Sequence, residues 1–273
     1  MEIWEAIVVG VVQGLAEFLP ISSSGHIVLT QFLLGMRPFP EGQDADVVFE
    51  VILHVGTLLS VLVYFWKKLW RMTQSLWTKS MVDERKWIGF LALATLPAVV
   101  LVLTPLGDVF ESAYENPFFV SGLLLITGAL LLAPKVIKAK QRELSWKSAL
   151  VMGVGQAFAI LPGISRSGST ITAGLLGGVE PKKAAEFAFL MSIPAIAGAV
   201  VFKLDEVKEK FSGEDMPAYF SGAVAAFLVG LFAVYVVMKA IQRGKFQYFA
   251  YYCFVAGVLG MIWFGFVNTG WKV

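Results

Sequence analysis

Glu17, Ser23 and His26 stand close together in an otherwise apolar stretch, and Arg166 stands among Ser165, Ser167, Ser169 and Thr170 in another. Glu17 follows Gln13 by four residues, so both side chains share one helix face. Such a pair can hold a divalent cation with help from water and substrate oxygens. The alternative is a carboxyl that hydrogen-bonds the opposite stretch. Ser23 precedes His26 by three residues, within reach once the chain turns into a helix. A serine beside a histidine base is a nucleophile arrangement. His26 can also attack phosphorus itself, or activate water. Arg166 offers a planar fork that matches phosphate or carboxylate oxygens. With neighbouring hydroxyls and the free N–H groups of a helix start it makes an anion site. A charge at bilayer depth costs roughly 2.5–3.5 kcal/mol on insertion scales, so it needs a partner or a task. The competing reading of Arg166 is a buried ion pair with Glu17. Ser22 and Ser24 are candidate helix caps. Glu50 and Glu186 read as carboxyls that satisfy nearby backbone, and His54 as a hydrogen-bonded helix-face residue.

The elements that carry these residues are two copies of one pattern. QGLAEFLPISSSGHIVLTQFLLGMRP (13–38) and QAFAILPGISRSGSTITAGLLGGVEP (156–181) align without a gap at an offset of 143. The offset pairs Gln13 with Gln156, Ser22 with Ser165, Ser23 with Arg166 and Ser24 with Ser167. Each copy consists of two short apolar pieces around a Pro/Ser/Gly break. The pieces are 6–19 and 24–35 in the first copy, and 147–161 and 169–179 in the second. That pattern predicts re-entrant helical hairpins, whose tips survive at membrane depth only when buried in protein or facing a water-filled cavity.

Around the hairpins, six segments have crossing length: 47–66, 87–104, 117–134, 184–202, 217–238 and 247–267. The composition agrees, with 57% hydrophobic and 15% charged residues and a mean hydropathy of +0.73. One hairpin plus three crossings per half makes the second half inverted relative to the first. With loop 67–86 on the inside, the inner face receives Lys67, Lys68, Arg71, Lys135, Lys138, Lys140, Arg142, Lys147, Lys182, Lys183, Lys239, Arg243 and Lys245. Arg37 and Lys203 are among the few basic residues outside. This agrees with the positive-inside rule and puts both termini outside. The outer loops are acidic, with Glu41, Asp44, Asp46, Asp108, Glu111, Glu115, Asp205, Glu206 and Glu209. Glu2 and Glu5 argue against a cleaved signal, so the first apolar segment is expected to be kept. Cys253, the single cysteine, reads as a small apolar helix residue. Trp66, Trp70, Trp87, Tyr248, Tyr251 and Tyr252 read as an interfacial belt. No Walker, zincin or dinucleotide motif occurs.

QGLAEFLPISSSGH and PGISRSGSTITAGLLGG resemble the undecaprenyl pyrophosphate phosphatases of the bacitracin-resistance type, and the resemblance runs nearly end to end. It implies an integral inner-membrane enzyme that removes the terminal phosphate of undecaprenyl pyrophosphate and so recycles the lipid carrier for peptidoglycan and other envelope glycans. It implies an (E/Q)xxxE element on Gln13 and Glu17, and a serine and histidine on Ser23 and His26. It also implies an SRSG(S/A)T element on Ser165, Arg166, Ser167 and Thr170. A divalent cation, Mg²⁺ or Ca²⁺, and a site opening to the periplasm follow from the same resemblance. Gln13, where a carboxylate is permitted, weakens a two-carboxylate metal site.

The expected fold is therefore an all-α polytopic membrane protein of one domain (1–273), with six transmembrane helices and two re-entrant hairpins. These form an inverted-topology repeat of 6–134 and 147–267. The expected phosphate cradle is Arg166, Ser165, Ser167, Thr170 and Ser22, with Glu17 and Gln13 toward the metal. Partners are a polyprenyl pyrophosphate and membrane lipid, without nucleic acid, and a homodimer is a candidate assembly. Inverted repeats with broken helices also fit a transporter, so a lipid-phosphate flippase is the rival reading.

Overall fold

A computed structural model describes residues 1–34, 47–105, 116–137, 141–210 and 213–267. The outer-loop acids Glu41, Asp44, Asp46, Asp108, Glu111 and Glu115 lie outside the described residues, as do Arg37, Lys138 and Lys140. Among the described residues every regular element is helical. In chain order these are α1 (Ile3–Phe18), α2 (Ser23–Leu33), α3 (Val47–Tyr64), α4 (Trp66–Ser75), α5 (Val82–Val102), α6 (Pro117–Val136), α7 (Trp146–Phe158), α8 (Arg166–Leu176), α9 (Pro181–Phe202), α10 (Leu204–Lys210), α11 (Met216–Gln242) and α12 (Tyr248–Ile262). A turn of π-helix, Trp263–Val267, continues α12.

Six of these elements are long and apolar enough to span a bilayer: α3, α5, α6, α9, α11 and α12 with its first π-turn residues. They coincide with the six segments read from the sequence. Local chemistry sets their starts. Asn116 caps α6, accepting from the Phe119 N–H, and Pro117 supplies the preset φ of a first helical turn. Ser145 caps α7 in a reciprocal arrangement with Ser148.

Small residues set the helix seams. A Cβ on Gly10 would strike the Gly222 carbonyl, and one on Gly14 would lie 2.7 Å from the Ala226 carbonyl. α1 and α11 thus approach backbone to backbone, the close packing that membrane helices use in place of a hydrophobic driving force. Gly153, at the same offset from Gly10, does the same for α7 against α5, where a Cβ would strike the Ala94 carbonyl. The broadest buried cluster lies where α1, α3, α8, α9 and α11 converge, and includes Phe18, Phe189, Leu190 and Met191.

Between these helices the chain breaks twice, at Leu19–Ser22 and at Ala159–Ser165. Pro20 removes a backbone donor just beyond α1, and Ser22 follows with a φ of +70°, a left-handed conformation. In the second break Gly163 takes a φ of +89°, and a Cβ there would collide with the Val120 carbonyl. Only glycine meets both demands.

Candidate active site

The two breaks touch. The Gly163 N–H donates to Ser22 Oγ at 3.1 Å, and Ser167 Oγ donates to the Leu19 carbonyl at 3.2 Å. Breaking a helix leaves backbone polar groups to satisfy, and a third element helps. Thr127 of α6 donates its hydroxyl to the Gly163 carbonyl at 2.8 Å and accepts the Ser165 N–H at 3.1 Å. At the first break the Cys253 thiol points at the Pro20 carbonyl, 3.5 Å away. Cys253 is fully buried, as its reading as a helix residue requires.

Glu17, at the end of α1, is the hub. Its Oε1 pairs with Arg166 Nη2 across the two breaks. Its Oε2 accepts Ser23 Oγ at 2.8 Å and Gln13 Nε2 at 3.2 Å. His54 Nε2 of α3 stands 3.9 Å from the same oxygen. The carboxyl is 7% exposed, so an uncompensated charge there would be costly and Arg166 is its natural counterion. Both readings of Arg166 thus meet in one place: the ion pair forms, and the second arm of the fork, Nη1, is buried without a hydrogen-bond partner.

The remaining hydroxyls of the expected cradle are engaged inside the protein. Ser165 Oγ caps α8 through the Gly168 N–H and lies 3.2 Å from Ser167 Oγ. Thr170 Oγ1 donates back to the Arg166 and Ser167 carbonyls. Ser22 Oγ lies 3.3 Å from Ser24 Oγ, so the copies repeat this serine pair.

Ser23 and His26, placed together in sequence, take different partners: Ser23 donates to Glu17. His26 Nδ1 sits 2.7 Å from the Ser22 carbonyl and Nε2 sits 2.6 Å from the Tyr252 hydroxyl. Tyr252, read from sequence as part of an interfacial belt, reaches into the site instead. The Trp87 ring packs against Phe187, and Lys68 Nζ lies 3.3 Å from its centroid. Glu186 does not satisfy hairpin backbone as expected. It pairs with Lys68 at 2.5 Å, and burial holds the Lys68 ammonium below the usual lysine range against the pull of that carboxylate. His54 keeps the satisfied contact expected of it, Nδ1 to the Glu50 carbonyl at 2.8 Å, and also borders Glu17.

Among the described residues no group of three or more His, Cys, Asp or Glu side chains is gathered to hold a metal. Glu17 offers a carboxylate, and Gln13 Oε1, fully buried, has no hydrogen-bond partner. One carboxylate and one amide oxygen suit a hard cation that takes its other ligands from water and phosphate.

A sequence profile for "Bacitracin resistance protein BacA" matches residues 6–259. The chain belongs to the BacA family. It is 40% identical to an undecaprenyl-diphosphatase of Salinibacter ruber over 268 residues, covering 94% of this chain and 98% of that one. It is 39% identical to the undecaprenyl-diphosphatase of Christiangramia forsetii, covering 96% and 98% of the two chains. It is also 39% identical to that of Rhodopirellula baltica, covering 94% and 96%. The resemblance noted from QGLAEFLPISSSGH and PGISRSGSTITAGLLGG thus extends over nearly the whole BacA-family chain.

Proposed function

We propose that this protein hydrolyses undecaprenyl pyrophosphate to undecaprenyl phosphate and inorganic phosphate, returning the lipid carrier to peptidoglycan and envelope-glycan synthesis. The observation that carries this is the hub: one buried carboxylate that holds a serine hydroxyl on one oxygen and an arginine on the other. The names of the relatives favour this reading over a flippase alone.

Ser23 is the nucleophile. Its Oγ attacks the terminal phosphorus, its proton passes to Glu17 Oε2, and the bond to the bridging oxygen breaks as undecaprenyl phosphate leaves. Water then cleaves the phosphoserine, releasing phosphate and restoring the hydroxyl. His26 is less suited to attack, because both ring nitrogens already have partners. Arg166 turns its fork from Glu17 to the phosphate. The Arg166 and Ser167 N–H groups, which open α8 ahead of the Gly168 N–H that Ser165 Oγ accepts, add donors for the charge that develops. Ser165, Ser167, Thr170 and Ser22 hold the two tips in register. Glu17 and Gln13 would hold Mg²⁺ or Ca²⁺, which when bound neutralises phosphate charge.

The hairpins are read as re-entrant and the halves as inverted repeats. At about 1.5 Å per residue, the 16 residues of α1 fall short of the ~30 Å hydrocarbon core. The seams support the repeat: α1 packs on α11 as α7 packs on α5, through glycines one repeat apart. The charge pattern supports inner-membrane residence with the termini and the site opening on the periplasmic side.

Purified protein in detergent, given a polyprenyl pyrophosphate and Mg²⁺, should release phosphate. Detergent removes sidedness, so turnover there requires chemistry. No release would sink the reading and leave the flippase.

A further inference from the structure

The final long helix contributes a tyrosine to the site from outside both hairpin stretches, 13–38 and 156–181. Tyr252 and His26 lie 226 positions apart in sequence, yet the phenol oxygen stands 2.6 Å from Nε2. Their rings stack at 5.5 Å between centroids with 21° between planes. On the other side of the imidazole, Nδ1 is 2.7 Å from the Ser22 carbonyl. A carbonyl only accepts, so Nδ1 carries the proton. In the neutral ring Nε2 is then the acceptor, and the Tyr252 O–H donates to it. Both ends of the ring are therefore tied, one by the strained residue before α2 and one by α12.

We infer that Tyr252 is a positioning residue for His26, holding the imidazole plane and directing its Nε2 lone pair at the phenol. This rests on the phosphatase reading above. It divides the proton traffic of the site. Ser23 gives its proton to Glu17, while His26 Nε2 is held toward the half-exposed side where Tyr252 sits. When the lipid pyrophosphate arrives, Nε2 exchanges the phenol for another donor, a water or a protonated phosphate oxygen, and the Nδ1 contact keeps the ring in place. The Tyr252 hydroxyl thus sets the starting orientation of a proton carrier without itself touching phosphorus.

Tyr252→Phe is the discriminating variant, because the ring and its stack remain and only the hydroxyl is lost. The chain has just two histidines, so ¹⁵N-histidine labelling gives a spectrum in which His26→Asn assigns the other. In the detergent-solubilised protein, Tyr252→Phe should shift the Nε2 resonance of His26 toward that of an unbonded ring nitrogen, leaving Nδ1 protonated. It should lower kcat about tenfold, the loss of about 1.4 kcal/mol expected for one hydrogen bond that orients a reacting group, with KM changed less than twofold. An Nε2 resonance that does not move overturns the proposal whatever happens to turnover. A moved resonance with unchanged kcat overturns it as well, since the bond would then serve packing alone. An inactive wild-type protein would sink the phosphatase reading instead, while the resonance still decides whether Tyr252 holds His26.

Discussion

The two breaks began as one sequence and now differ in what their side chains are free to do. In the second break nearly every hydroxyl serves the fold: Ser165 caps α8, Ser167 ties Leu19, and Thr170 returns to its own helix. Its backbone is repaired by Thr127, and its left-handed turn falls on a glycine. In the first break the turn falls on Ser22, at a cost on the order of 1–3 kcal/mol for a non-glycine residue there. The next residue, Ser23, donates its hydroxyl to Glu17. The copies thus place their positive φ at non-equivalent positions, since Gly163 aligns with Pro20 and Ser22 with Ser165. One tip is a rigid mount carrying a single cation. The other is a strained mount carrying Ser23 and His26, the groups proposed to exchange protons.

The strongest way to break this comparison is to remove the bond between the tips. Glu17→Ala or Arg166→Ala leaves an unpaired buried charge, a loss of about 3–5 kcal/mol. Each also removes a group of the proposed chemistry and should cut phosphate release on the order of a thousandfold. The double variant should unfold at a higher temperature than either single one. Near-normal release by Arg166→Ala would end the proposed role of the second tip. A second test sets Gly163→Ala against Ser22→Gly. The alanine meets both a forbidden φ and the Val120 carbonyl, and should destabilise by about 1–3 kcal/mol or more. Ser22→Gly relieves strain while losing an acceptor, so it should melt above Ser22→Ala. If Ser22→Ala melts higher, the first tip is not strained.

Serines sharpen the contrast further. Ser23→Ala should keep thermal stability within about 1 kcal/mol and lose on the order of a hundredfold or more in release. Ser167→Ala should lose about 1 kcal/mol of stability and at most about tenfold in release. The reverse ranking would overturn the division of labour. Lys183→Gln, which removes ion pairs to Glu143 and Glu180 remote from both tips, should change stability by less than about 0.5 kcal/mol and leave release unchanged.

The spans were legible because each is a continuous apolar run. The Glu17–Arg166 partnership was legible, as the competing reading of Arg166, because two charges at bilayer depth need one another. Gln13 was legible by helical spacing. Tyr252 and His54 were not. Each reaches the site through the register between helices far apart in sequence, which local periodicity does not encode. Tyr252 was further hidden among aromatics that do suit an interface. The Ser23–His26 pairing was suggested by spacing alone, and His26 bonds the Ser22 carbonyl and Tyr252 of α12 while Ser23 bonds Glu17. Glu186 was misjudged for a similar reason, since the amphipathic turn of α4 brings Lys68 to it.

The lone thiol of Cys253 has a practical consequence. It lies against the Pro20 carbonyl and is sealed from solvent, next in sequence to the tyrosine that holds His26. With no other cysteine in the chain, a maleimide added to the native protein reads out at one thiol the opening of the packing around Pro20 and α12. The rate of that single alkylation, followed with and without substrate, is a built-in clock for how often this part of the molecule opens.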